Sequence, residues 1–81
     1  MNIIYTTKAK DDLTHIDWRI REKIINELGR NGYRKNYAIR LPGGEYYRLD
    51  LENHIVIGQY KQDNFNVLTV LKKQKIKLPH S

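Results

Sequence analysis

The 81-residue sequence has no cysteine, a single serine, a single tryptophan, a single phenylalanine and two prolines. Without cysteine there is no disulfide framework and no thiolate metal site. The lone serine is the terminal Ser81, which leaves nothing to serve as the nucleophile of a Ser/His/Asp triad. His15, His54 and His80 are far apart, with no carboxylate pair at ligand spacing from any of them, so no metal site is expected. Gly43-Gly44 lacks the Lys-Ser/Thr sequel of a phosphate loop. Neither a cofactor nor a small-molecule substrate is expected. No apolar run approaches the roughly eighteen residues of a membrane span. Met1-Asn2-Ile3-Ile4-Tyr5 also lacks the basic-then-apolar order of a secretory leader. A cytoplasmic protein without a membrane partner is the expectation.

What the chain does have is isoleucine, leucine and charge. Ile, Leu, Val and Phe together make 22 residues, above the level at which a charged chain stays disordered but only enough for a thin core. The sequence reads as one domain over residues 1–75 with a basic tail at 76–81. Lys and Arg number 15 against 9 Asp and Glu, a net charge of +6. Residues 1–28 are balanced and residues 49–71 are net acidic. The excess sits in 29–48, with Arg30, Arg34, Lys35, Arg40 and Arg48 against Glu45, and in 72–81, with Lys72, Lys73, Lys75 and Lys77. Such a distribution points to an anionic or acidic partner.

Residues 2–6 read as a short strand. Thr6 and Thr7 offer N-caps, after which Ala9, Leu13, Ile16, Ile20, Ile24 and Leu28 recur at helical spacing. The stripe predicts either one long helix or two short ones broken near Asp17, with Asp17 capping the second. Gly29 and Asn31-Gly32 are expected to stop it. A basic, tyrosine-bearing stretch leads to a turn at Leu41-Pro42-Gly43-Gly44. Strands are then expected over 45–51, 55–60 and 65–71. In the first, Tyr47, Leu49 and Leu51 take one face and Tyr46, Arg48 and Asp50 the other. Short turns at Glu52-Asn53 and Gln62-Asp63-Asn64 make these strands an antiparallel meander. The fold class is α+β: an N-terminal strand, one long or two short helices, then a three-stranded antiparallel meander.

The chemistry left open is that of phosphates, bases and cations. Cutting RNA through its own 2′-OH needs no metal, only a proton acceptor, a proton donor and cations for the phosphorane charge. Arg48, His54, Lys72, Lys73 and Lys75 are the candidates for catalysis or target contact. On the plainer reading His54 is a hairpin-turn residue and the lysines protect an edge strand from aggregation. Arg34, Lys35 and Arg40 form a candidate nucleic-acid patch. Tyr33, Tyr37, Tyr46, Tyr47 and Tyr60 are either stacking partners for bases or ordinary strand residues.

The segment Ile4-Tyr5-Thr6-Thr7-Lys8-Ala9-Lys10-Asp11-Asp12-Leu13 with Ile16 resembles the strand and "A-x-x-D-L-x-x-I" helix of the RelE/ParE superfamily of bacterial toxins. Leu41-Pro42-Gly43, then Tyr47-Arg48-Leu49, then the two strands after His54 continue the resemblance, which spans residues 3 to about 75. It implies a helical layer on an antiparallel sheet and a toxin of a type II toxin–antitoxin system. RelE-like members cleave mRNA on the ribosome with scattered basic residues. Arg48 matches one such position and Lys75 falls near another, whereas Asp50 and Ile55 stand where those enzymes usually carry Lys and Arg, and no tyrosine follows Tyr60. ParE-like members poison DNA gyrase, and His54-Ile55-Val56-Ile57 and Val67-Leu68-Thr69-Val70-Leu71 resemble that arm. The resemblance thus implies a growth-arresting toxin, gyrase-directed in preference to a ribosome-dependent mRNA endonuclease. It also implies a cognate acidic antitoxin whose disordered tail folds around the toxin. A non-toxic nucleic-acid-binding module is the further alternative.

Overall fold

The computed structural model describes residues 2–31 and 38–73. Its elements are β1 (Asn2–Tyr5), α1 (Thr7–Thr14), α2 (Trp18–Asn31), β2 (Ile39–Arg40), β3 (Tyr46–Leu51), β4 (His54–Lys61) and β5 (Asn64–Lys72). The strands form one five-stranded sheet in the order β1-β5-β4-β3-β2. β3, β4 and β5 are the expected antiparallel meander. β1 runs parallel to β5, with Ile3 beside Phe65 and Tyr5 beside Val67. The expectation missed β2, a two-residue strand antiparallel to β3 that sets Ile39 beside Arg48 and Arg40 beside Tyr47.

The helical stripe divides into two helices. The α1 chain leaves helical geometry at His15, whose N–H bonds the Asp12 carbonyl at 3.1 Å. Asp17 then opens α2: its carboxylate accepts from the Arg19 N–H at 2.9 Å and its carbonyl from the Arg21 N–H at 2.8 Å. Of the expected stop signals, Gly29 does not end the helix, which runs through it and ends at Asn31 of the Asn31-Gly32 pair. Glycine costs a helix backbone entropy but does not break its hydrogen bonds, so flanking helix formers carry the chain across. No helix among the described residues is long and apolar enough to cross a membrane.

Two polar residues fasten the helical layer to the sheet. Thr6 ends β1 and caps α1: its hydroxyl accepts the Ala9 N–H at 3.2 Å and donates to the Val67 carbonyl at 3.0 Å, with the Leu68 carbonyl at 3.1 Å. Six residues later the Asp12 carboxylate takes Lys8 Nζ at 2.7 Å, the Thr69 hydroxyl at 2.7 Å and the Val70 N–H at 3.0 Å. Burial pushes the Asp12 pKa up, but the hydrogen bonds from Lys8, Thr69 and Val70 outweigh it and hold the pKa down at about 2.

The core lies between the helices and one sheet face. Ala9 and Leu13 of α1 and Ile24 and Leu28 of α2 pack with Leu49, Val56, Phe65, Val67 and Val70, all buried. Gly58 pairs with Val67 and Ile57 with Thr69, so Leu68 is an extra residue in β5, a β-bulge. Phe65 lies over Gly58, where any Cβ would overlap the ring. Beyond it the Phe65, Tyr60 and Tyr47 rings follow one another at 4.7 and 4.9 Å between centroids.

Candidate functional site

The helices cover one face of the sheet, and strand alternation sorts the candidate residues between the two faces. Arg48, Asp50, Ile55, Ile57 and Leu71 belong to the open face: Arg48 pairs with Ile57, Asp50 with Ile55, and Ile55 with Leu71. Ile4, Ile39, Tyr46 and Leu71 are exposed.

Arg48 does not stand on this face as a free cation. Its Nε lies 2.8 Å from Asp50 Oδ1 and its Nη2 3.3 Å from Oδ2, while Lys73 Nζ lies 2.9 Å from the same Oδ2. The Arg48 and Lys73 hydrogen bonds lower the Asp50 pKa, and the Asp50 bond raises that of Arg48. One carboxylate thus sits between the two cations. The sequence carried part of this signal, because residues i and i+2 of a strand share a face: Arg48 and Asp50 were expected on one face, but not as an ion pair.

His54 and Lys72 fall on the other, helical side, where they pair across β4 and β5. His54 is the first residue of β4 and only 6% exposed, so the hairpin-turn alternative does not hold. The turn is Glu52-Asn53, both at positive φ (49° and 60°). The His54 Nδ1 donates to the Glu52 carbonyl at 2.7 Å. His54 and Lys72 line a cleft of about 500 Å³ between the α1–α2 corner and the β3–β4 turn, floored by Ile16, Ile20 and Val70. β5 lies between β1 and β4 as far as Val67, where β1 ends; beyond it the Asp12 carboxylate takes the Val70 N–H, and Lys72 lies on the part of the strand without a β1 neighbour.

Arg40 is exposed at the far end of the helical side, its Nε 3.4 Å from the Gly44 carbonyl. With Tyr47, Tyr60 and Lys61 it borders a shallow recess of about 380 Å³. Burial raises the Tyr60 pKa, with a smaller contribution from Tyr47. Arg34, Lys35 and Lys75, with Tyr33 and Tyr37, lie outside the described residues. The sequence candidates therefore do not form one constellation. Arg48 and Lys73 share the open face, His54 and Lys72 the helical cleft, and Arg40 the distal recess. Among the described residues no three His, Asp or Glu side chains converge as metal ligands.

No protein-family model and no curated protein sequence matches the chain. Solved structures do. The chromosomal ParDE toxin–antitoxin system of P. aeruginosa matches with a TM-score of 0.78 at 16% identity, over 91% of this chain and 97% of that one. RelBE2 of Mycobacterium tuberculosis, a toxin–antitoxin complex, gives 0.71 at 15% identity, over 89% and 96%. The RelB–RelE antitoxin–toxin complex of Methanococcus jannaschii gives 0.67 at 24% identity, over 85% and 88%. Agreement over 85–91% of this chain at 15–24% identity shows that it has the RelE/ParE-like α+β fold.

Proposed function

We propose that the chain is the toxin of a type II toxin–antitoxin pair and arrests bacterial growth in the ParE manner, by acting on DNA gyrase, without cutting mRNA. The single observation behind the choice of mode is the position of Asp50 between Arg48 and Lys73. Metal-free RNA cleavage needs cations available to the phosphorane oxygens. Here both cations already face a carboxylate, and Ile55 beside Asp50 adds none. Arg40, with Arg34 and Lys35, is proposed to contact the nucleic acid carried by the target. The recess that sets Arg40 near Tyr47, Tyr60 and Lys61 supports this reading.

The proposed partner is an acidic antitoxin segment laid across the open face. There it would cover Ile4, Ile39, Tyr46 and Leu71 and meet a chain of net charge +6. Inducing the gene in a bacterium should arrest growth. Purified protein should inhibit gyrase supercoiling and leave ribosome-bound mRNA intact. Ribosome-dependent mRNA cleavage lost in Arg48→Ala would instead assign the RelE mode. Salt-dependent nucleic-acid binding with no growth arrest would make the chain a non-toxic binding module.

A further inference from the structure

The cleft beside His54 lies across the sheet from the open face, and the proposed toxin mode makes no use of it. Its chemistry is one-sided. A carbonyl only accepts, so the His54 Nδ1 carries the proton in its bond to Glu52, and Nε2 of the neutral ring is an acceptor. That Nε2 has no hydrogen-bond partner among the described residues. Every fully buried side-chain nitrogen or oxygen among them is satisfied, so Nε2 is not sealed off, and His54 is a lining residue of the cleft. His15, exposed at the opposite wall, sets its Nδ1 2.9 Å from the Asp11 carbonyl and 3.3 Å from the Thr14 hydroxyl.

The Asp17 and Glu52 carboxylates add two more acceptors, and Lys72 is the only lysine or arginine among the described lining residues. These acceptors do not converge on a point, as a metal ion would demand. They surround a volume of about 500 Å³ floored by Ile16, Ile20 and Val70.

We infer that the cleft is a socket for an arginine side chain presented by a partner polypeptide. A guanidinium offers five N–H donors in a planar fork, which matches acceptors spread around a cavity wall. The three methylenes behind it lie on the isoleucine and valine floor, as the stems of long cationic side chains do on apolar surface. The carboxylates disfavour an anion there and supply the opposite charge a guanidinium needs. The cleft faces away from Arg48 and Asp50, so its occupant and one on the open face bind without competing. The inference does not rest on the toxin reading.

The test is a titration of the ¹⁵N-labelled full chain with the blocked tripeptide acetyl-Leu-Arg-Leu-amide, following the imidazole nitrogens of His54 and His15. A second titration uses the same peptide with citrulline, the uncharged isostere of arginine. The arginine peptide should shift His54 Nε2 saturably, and the citrulline peptide should bind at least tenfold more weakly. Glu52→Gln, at an exposed turn, spares the core and should weaken the arginine peptide severalfold. Asp63→Asn, at the opposite turn, should leave it unchanged. His54→Phe removes one acceptor and should weaken the arginine peptide severalfold, while the preference over citrulline that the carboxylates set persists. Equal affinity for the two peptides, or no saturable change at His54, overturns the inference. So does inorganic phosphate saturating the same nitrogens, which would make the cleft an anion site.

Discussion

Arg48 and Asp50 stand two residues apart on β3, and the alternation of the strand holds the guanidinium 2.8 Å from the carboxylate on the open face. Lys73, reaching Asp50 from just beyond the end of β5, completes a cation–carboxylate–cation row. A row that would mark a phosphate site if all three charges were positive instead contains one carboxylate, which reduces it to a net +1.

Asp50→Asn should therefore unmask the open face. Binding to single-stranded RNA, measured against salt, should tighten at low ionic strength, and its slope should steepen by about 1 as further phosphate contact becomes possible. Thermal stability should stay close to that of the parent, because the row is solvent-accessible and such pairs contribute little. A slope unchanged from the parent would show that Asp50 does not hold these cations away from phosphate.

The Asp12 clamp predicts acid sensitivity. Its pKa is about 2 in the folded chain against an ordinary 3.8, so the carboxylate contributes stability that is fully present above pH 3.8 and lost as the pH falls toward 2. The side chain is only 15% exposed, and the contribution near neutral pH is about 2 kcal/mol. Urea unfolding at pH 6 should show Asp12→Asn less stable than the parent by about that amount. At pH 2 most of the gap should have closed.

Gly58→Ala should be severely destabilising, by about 1–3 kcal/mol, because the added methyl overlaps the Phe65 ring. Pairing it with Phe65→Leu makes room, so the double variant should be more stable than the two separate losses predict. Strict additivity in a double-mutant cycle would mean that the ring is not what excludes the side chain.

Gly29→Ala should have the opposite sign. α2 passes through Gly29 in helical geometry, and a Cβ there meets nothing within 4 Å. The substitution removes backbone freedom from the unfolded chain and should stabilise by about 0.5–1 kcal/mol, read from the denaturation midpoint. A loss of stability would indicate that Gly29 is not held in helical geometry in solution.

Local patterns carried most of the architecture. The apolar stripe from Ala9 to Leu28 placed the helices, and short turns placed the meander, because both signals lie within a few residues of the structure they produce. β2 escaped notice because two exposed residues, Ile39 and Arg40, have no period to read. The partner of β1 was hidden because the parallel pairing of Ile3 with Phe65 joins distant parts of the chain. The sorting of Lys72 and Lys73 was hidden for a subtler reason. The extra residue Leu68 shifts the alternation of β5, so Phe65 and Val67 face the helices, and beyond the bulge Val70 and Lys72 do so. No count along the sequence reveals on which side of such a bulge a lysine lies.

The hydroxyl of Thr6 joins the start of α1 to a carbonyl 61 residues further along the chain. Neither β1 nor the Thr6 bond to Val67 can form until β5, the last strand among the described residues, is in place. The protein should therefore lack a stable N-terminal half. Long loop closure precedes the contacts that reward it, which makes assembly slow for a chain this short. Amide exchange should reflect this, with the N–H groups of Thr6, Lys10 and Val70 opening together as one cooperative unit.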